Sequence, residues 1–318
     1  MPLLAGADDP ALYDADPELL EAASVAILLG QPLLLTGEPG CGKSTFADHI
    51  TWRLKRGLRA LRVDGRSNME LRDLFYTYDD VGRFRDRDGD ERPAAYLTLQ
   101  GLGEAILRGS DPEKTADLRN ALLGNRNGEG ARCDPIAPSR DVVLFDEIDK
   151  APRDVPNDLL GRLTGERVSF QIPELNTGGG APVEIVAQSE HQPIIICTSN
   201  SERSLPDAFL RRCVYHHIET PTGARLRRII EMRVFRGSQP SDALFRSVEV
   251  LFAAIRERSP RKKPGLAELI SFVMLLREEG WKADDELTGT RWKPLAALTL
   301  LKTQEDRQNA EYLLNISA

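Results

Sequence analysis

Gly37-Glu38-Pro39-Gly40-Cys41-Gly42-Lys43-Ser44 is the stretch whose reading decides the fold. The apolar run Leu33-Leu34-Leu35 precedes it and a helix-like stretch from Thr45 to Leu54 follows, so the octet reads as a loop joining a strand to a helix. Glycines let main-chain N–H groups turn inward with no Cβ in the way. The following helix presents its positive N-terminus to the same point. Such a turn suits phosphate oxygens. In this pattern Gly37, Pro39, Gly40, Cys41 and Gly42 shape the cradle, Lys43 neutralises the β- and γ-phosphates, Ser44 ligates Mg²⁺, and Thr45 completes the nucleotide-binding set.

Working outward, Val142-Val143-Leu144-Phe145-Asp146-Glu147 is an apolar strand with two carboxylates at its C-terminal end. In an open α/β sheet that end is where ligands bind. Asp146 is placed to hold Mg²⁺ through its water shell, and Glu147 to orient and polarise an attacking water. A water-activating Glu favours hydrolysis over transfer to an acceptor hydroxyl, which has no need of it. A third strand, Ile194-Ile195-Ile196-Cys197-Thr198-Ser199-Asn200, ends in small polar residues, and Asn200 is placed to hold the water opposite Glu147 or to sense the γ-phosphate. Asn is equally at home in a plain turn. Leu205-Pro206-Asp207-Ala208-Phe209-Leu210-Arg211-Arg212 reads as a short helix with Pro206 in its first turn and two guanidiniums at its far end. Those arginines suit either a solvated face or a charge offered to a neighbouring subunit's γ-phosphate.

The remaining pattern divides the chain in two. Short apolar runs at Pro32–Thr36, Arg59–Val63, Val142–Phe145, Pro193–Thr198 and Val214–Ile218 alternate with helical segments, as in a parallel sheet covered by helices. Beyond Pro221 apolar residues recur only at helical spacing, for example Leu266, Leu269, Ile270 and Val273. The expectation is an α/β P-loop NTPase domain over residues 1–220 and a helical lid domain over 221–318. The polar, Gly-rich segment from Gly124 to Pro138 reads as disorder or a plain surface excursion rather than a functional loop.

Bulk properties narrow the class. Lys and Arg number 42 against 49 Asp and Glu, a net charge of −7, so a nucleic-acid partner is disfavoured. Cys41, Cys133, Cys197 and Cys213 form no Cys-x-x-Cys pair, which disfavours a zinc knuckle or disulfide framework. The N-terminus lacks a basic start followed by an apolar run, and the apolar stretch Val25–Leu35 is broken by Gly30, Gln31 and Pro32. A cytoplasmic chain without a membrane span is expected. His216 and His217 alternate faces of the last strand and are expected to be structural, and Trp281 and Trp292 to pack the helical region.

Taken in order, these motifs resemble the AAA+ superfamily: P-loop, Asp-Glu strand end, a first sensor Asn, then an arginine finger before a helical lid. Finer wording in Gln31–Gly40, Arg72-Asp73-Leu74-Phe75-Tyr76, Thr198-Ser199-Asn200-Ser201-Glu202 and Leu205–Cys213 is similar to the MoxR-like branch. The resemblance runs from about Tyr13 to the end of the chain, more weakly in the lid. It implies a homo-oligomeric, hexameric ring with ATP between subunits, and remodelling of a protein client, often one with a metal-binding von Willebrand factor A domain. It makes Arg212 the first and Arg211 the second finger candidate, and brings Tyr13 towards the adenine. It also matches about 73–99 to an insert in the second helix and about 168–186, turning at Gly178-Gly179-Gly180, to a hairpin before the first sensor. The family commonly holds an Arg at the start of a lid helix as a second sensor. This chain departs from that, reading Arg261-Lys262-Lys263-Pro264-Gly265-Leu266, and Lys263 stands in as candidate. A nucleotide-dependent assembly switch in a bacterial defence or stress complex is the alternative to a motor.

Overall fold

A computed structural model describes residues 9–85, 93–123, 137–163, 167–176, 182–236, 242–258, 262–281 and 287–314. Cys133 and the turn Gly178-Gly179-Gly180 fall outside these residues, as does all but the end of the 124–138 segment. The chain forms two compact units: Pro17–Thr36 with Ala47–His217, and Met1–Asp16 with Gly37–Phe46 and Ile218–Ala318.

The strands in chain order are β1 (Leu33–Gly37), β2 (Leu61–Asp64), β3 (Tyr76–Tyr78), β4 (Leu97–Leu99), β5 (Val142–Asp146), β6 (Ser169–Ile172), β7 (Val183–Val186), β8 (Ile194–Ser199) and β9 (Val214–Ile218). Five of them make one sheet in the order β2-β5-β8-β1-β9. The β2–β5, β5–β8 and β8–β1 pairs are parallel, with Asp64 opposite Asp146, Phe145 opposite Cys197 and Thr36 opposite Ser199. That register lines up the carboxyl ends of four strands. Every residue of β8 is buried, as the near-continuous apolar run requires of a central strand. Edge strand β9 instead alternates between half-buried and exposed before Ile218. Thr36 ties β1 to it, its hydroxyl donating to Tyr215 and meeting His217 Nδ1, both at 2.9 Å.

Helices α1 (Pro17–Leu29), α2 (Lys43–Arg53), α3 (Asp80–Arg85), α4 (Gly101–Gly109), α5 (Pro112–Leu123), α6 (Asp154–Leu163) and α7 (Asp207–Leu210) connect the strands. Helix α4 is almost wholly buried, and its Leu102, Ile106 and Leu107 share one core with Val143 and Phe145 of β5 and with Leu159 and Leu160 of α6. The described part of the 73–99 segment contains the antiparallel β3–β4 pair and α3, and the antiparallel β6–β7 pair lies within 168–186.

After β9 the chain is helical: α8 (Gly223–Arg233), α9 (Asp242–Arg258), α10 (Leu266–Glu278), α11 (Lys293–Leu300), α12 (Gln304–Gln308) and α13 (Ala310–Leu313). Their apolar faces converge on a second core containing Leu226, Val248, Ile255, Leu269, Phe272 and Val273, with Trp292 buried in it and Trp281 packed against it. The start of α10 is fixed by Glu268, whose Oε2 accepts from the Gly265 N–H at 3.0 Å and so satisfies a donor at the helix end. Among the described residues no helix is long and apolar enough to cross a membrane.

Candidate nucleotide site

At the carboxyl end of β5 the chain turns sharply. Glu147 has φ 55° and ψ 50°, a left-handed conformation uncommon outside glycine. Two contacts hold it there. The Glu147 N–H donates to Thr198 Oγ1 at 2.9 Å, and the same hydroxyl donates to Asp146 Oδ1 at 2.6 Å. Thr198 therefore joins both carboxylate residues from the neighbouring strand. Gly65 closes the other side: its N–H donates to the Asp146 carbonyl at 2.8 Å, and a Cβ at that position would overlap the Glu147 carbonyl. Close backbone approach is what demands glycine there.

The strained turn sets the Glu147 side chain between two donors. Asn200 Nδ2 reaches Oε1 at 3.1 Å, and Lys150 Nζ reaches Oε2 at 2.6 Å. The hydrogen bond to Glu147 raises Lys150 above the ordinary lysine range. Arg62 lies 3.7 Å from Asp146 Oδ2. The loop beyond β8 is itself shaped by Ser199, whose Oγ accepts from the Ser201 N–H at 2.9 Å, and by Asp149, whose Oδ2 accepts from the Glu202 N–H at 2.9 Å. Asp146, Glu147 and Asn200 are thus brought together. Thr198, Lys150 and Arg62 were not singled out from sequence, although a Thr in a strand buried throughout was a signal that its hydroxyl had a partner.

The loop after β1 has the backbone a phosphate cradle needs. Gly37, Gly40 and Gly42 have φ of 148°, 78° and 100°. Lys43 is buried, its Nζ donating to the carbonyls of Gly37 at 2.8 Å and Glu38 at 3.1 Å. Ser44 and Thr45 follow in the first turn of α2, and are half-buried. Burial raises the Cys41 thiol, so it is a packing group rather than a thiolate.

The same unit supplies neighbours for this loop. Tyr13 lies against Gly42, where an added Cβ would meet its ring at 3.1 Å, and against Phe46 with ring centroids 5.6 Å apart. A Cβ on Gly265 would stand 2.5 Å from the Pro39 carbonyl, and one on Gly40 would stand 3.2 Å from Ala267 Cβ. Glu38 accepts from Arg256 at 2.9 and 2.7 Å and from the Thr220 hydroxyl at 2.8 Å. Burial pushes its carboxyl up, but those hydrogen bonds, with the charges of Arg256 and Lys263, outweigh it and hold Glu38 below the usual glutamate range. Lys263 is exposed and acts on Glu38 through its charge, whereas Arg256 makes the direct contacts. Arg211 caps α7 and Arg212 follows it; both are exposed, and among the described residues neither forms an ion pair.

The donor set can be tested against a nucleotide and its metal. A positive-φ glycine loop running into a helix N-terminus, with a buried lysine, fits a polyphosphate. Among the described residues no group of three or more His, Cys, Asp or Glu could hold a metal unaided. Mg²⁺ does not need such a group: it keeps several waters and takes further ligands from phosphates, so a single protein carboxylate such as Asp146 suits it.

Comparison with known proteins agrees with this geometry. Residues 32–213 match the AAA domain (dynein-related subfamily), more than half of the chain, and the protein belongs to that family. It therefore carries a nucleotide-binding AAA ATPase domain. A crystal structure from Cytophaga hutchinsonii ATCC 33406, described as a "putative ATPase", covers 99% of this chain and 94% of its own at 13% identity and a TM-score of 0.39. At that distance the likeness carries no argument about activity.

Proposed function

We propose that this chain is a MoxR-like AAA+ motor, a Mg²⁺-dependent ATPase that works as a cytoplasmic, homo-oligomeric hexameric ring on a protein client. The single observation that carries the hydrolytic reading is the Glu147 turn, with Thr198 joining Asp146 to Glu147 and Asn200 on the Glu147 carboxylate. Sheet order supports it. The chain leaves β1 for β2 at one edge and leaves β8 for β9 at the other, so adjacent strands send their connections opposite ways, the place where open α/β sheets bind ligands.

In this reading residues 1–220 are the α/β core and 221–318 the lid. The amides of Gly37–Gly42 with Lys43 hold the phosphates, Ser44 and Asp146 hold Mg²⁺, and Tyr13 and Lys263 border the nucleotide. When bound, the metal would supply charge neutralisation at the phosphates. Glu147 takes a proton from the attacking water, which Asn200 orients, and Arg212 of a neighbouring copy, or Arg211 in its stead, completes the site. The segments at about 73–99 and 168–186 contact the client, for which a von Willebrand factor A domain is the proposed partner.

Glu147→Gln tests the chemistry. Turnover should fall at least a hundredfold, a typical contribution of a general base, while ATP remains bound. Normal turnover in that variant refutes the assignment. Mixing Arg212→Ala with Lys43→Ala subunits tests the shared site: recovered activity supports a finger acting in trans, and no recovery at any ratio overturns it.

A further inference from the structure

Immediately beyond the Glu147 turn, the first unit has a cavity of about 350 Å³, at the small end of ligand-sized pockets. Two loops line it: the one after β5, with Pro152 and Arg153, and the one after β8, with Arg203, Ser204, Leu205 and Pro206. Pro152, Leu205 and Pro206 are half-buried and form the apolar surface that an incoming group meets; the buried Ala151 and Pro156 extend the lining. Its three prolines carry no N–H and have a fixed φ, which leaves little to desolvate or reorder when the space is filled. Asp149 is 3% exposed, with Oδ2 accepting from the Glu202 N–H and Oδ1 buried, so it offers an occupant no charge. Arg153, Arg203 and Ser204 are the exposed part of the lining. Each arginine has an acidic neighbour in sequence, yet among the described residues neither forms an ion pair. Those acids act elsewhere: Asp154 lies in the first turn of α6, where a carboxylate suits the positive helix end, and the charge of Glu202 acts on Lys150.

We propose that this cavity receives an apolar side chain of a protein partner, of about the size of leucine, flanked in the partner's sequence by carboxylates that pair with Arg153 and Arg203. The planar guanidinium fork matches a carboxylate better than any other side chain does. One arginine comes from each loop, which suits a carboxylate on each side of the apolar anchor. A free phosphate or a nucleic-acid backbone would use the guanidiniums and leave Pro152, Leu205 and Pro206 uncovered. The chain's net charge of −7 does not draw an acidic partner to the surface at large, so two unpaired guanidiniums beside apolar surface give this place its selectivity.

The site deepens the protein-client reading above and rests on it for its biological sense. The two lining loops begin at the hydrolytic residues Glu147 and Asn200, and the hydrogen bond from the Glu202 N–H to Asp149 ties them together. A side chain in contact with Pro152 and Leu205 therefore bridges both loops.

The probe is the peptide acetyl-Glu-Leu-Glu-amide, titrated into the full chain without nucleotide and followed by saturation-transfer NMR, which reads weak binding to large assemblies. Replacing its leucine by alanine, which keeps the charges and empties the cavity, should weaken binding about tenfold. Replacing its glutamates by glutamine should weaken it about two- to fivefold for each exposed pair lost. In the double variant Arg153→Glu with Arg203→Glu the preference should reverse, acetyl-Lys-Leu-Lys-amide binding better than the acidic peptide. Equal affinity for the leucine and alanine peptides overturns the proposal, because the cavity is then unused. Equal affinity for the Glu-Leu-Glu and Gln-Leu-Gln peptides does so too, as does a double variant that still prefers the acidic peptide, or no binding of any peptide at millimolar concentration. Loss of self-assembly in the double variant, with no peptide bound by the wild type, places a second copy on this face and also overturns it. Because the titration needs no nucleotide, an inactive wild-type ATPase would defeat the hydrolytic reading while leaving this result standing.

Discussion

Thr198→Val is the perturbation that most directly separates a positioned Glu147 from a merely nearby one. Valine keeps the shape of threonine in a fully buried strand position and removes only the hydroxyl. Two interactions go with it: the bond to Asp146 Oδ1 at 2.6 Å and the one received from Glu147 N–H at 2.9 Å. A hydrogen bond to a charged group contributes about 1.5–3 kcal/mol, and an N–H left without a partner costs about 1–3 kcal/mol. Water reaching Asp146, whose side chain is 18% exposed, recovers part of the first. A net loss of about 2–4 kcal/mol follows, or roughly 5–15 °C in the unfolding temperature of a unit of this size. The chemical effect is separate. Freed of its N–H anchor, Glu147 relaxes from a left-handed conformation that itself costs about 1–3 kcal/mol. A displacement of about 1 Å at a reacting group can cost about a hundredfold in rate. Steady-state ATPase assays, fluorescent-nucleotide binding and calorimetric unfolding should together show kcat down at least tenfold, nucleotide affinity little changed, and a lower melting transition. Thr198→Ser, which restores the hydroxyl, should recover most of both. A Thr198→Val protein with wild-type kcat and an unchanged melting temperature would refute the reasoning.

Two further outcomes concern the loop after β1. Gly42→Ala introduces a Cβ where φ is 100° and where the Tyr13 ring stands 3.1 Å away, so nucleotide affinity should fall at least tenfold at a stability cost of about 1–3 kcal/mol. Adding Tyr13→Ala should not rescue binding, because the backbone strain remains; equilibrium titration with a fluorescent nucleotide reads both. Glu38 is held below its ordinary range, so its contribution to stability is present above the pKa of a glutamate in the unfolded chain and is lost as pH falls through the lower folded value. Denaturation curves taken downward from about pH 5 should show this loss in the wild type and a shallower one in Glu38→Gln; parallel curves would refute the Arg256–Glu38 pairing as a contributor.

How much of this could be read from residues alone follows from what each kind of pattern measures. Apolar runs report burial, and they placed β1, β2, β5, β8 and β9 within two residues of their observed ends. The octet Gly37–Ser44 reports a local conformation, because positive-φ glycines followed by a helix leave few alternatives. Partner choice is not local. Arg256 sits in the last turn of α9, where a basic residue suits the helix C-terminus on its own account, and its guanidinium also lies 5.4 Å from the Phe252 ring. Nothing in that spacing selects Glu38, 218 positions away in the chain. The family resemblance offers Lys263 as a second sensor of nucleotide, and in the fold its charge acts on Glu38.

Thr198 and Asp149 mark a middle case. Thr198 ends an apolar run, Ile194–Cys197, whereas Asp149 stands among the charged residues Asp146, Glu147 and Lys150; both are buried in the fold. A buried polar side chain has to be answered by a partner, so the residue type and its apolar setting announce that a partner exists without naming it. For Thr198 the partners are Asp146 and Glu147, and the hydroxyl is fully used. For Asp149 one oxygen is answered by Glu202, and the other is buried without a hydrogen-bond partner among the described residues. The same rule that gives Thr198 its hold on the Asp146–Glu147 turn makes Asp149 a support of the loop beyond Asn200, through the Glu202 N–H. It predicts an unequal response to the two isosteric changes, read by calorimetric unfolding: Thr198→Val should lower the melting transition, whereas Asp149→Asn, whose amide oxygen can still accept from the Glu202 N–H, should leave it nearly unchanged.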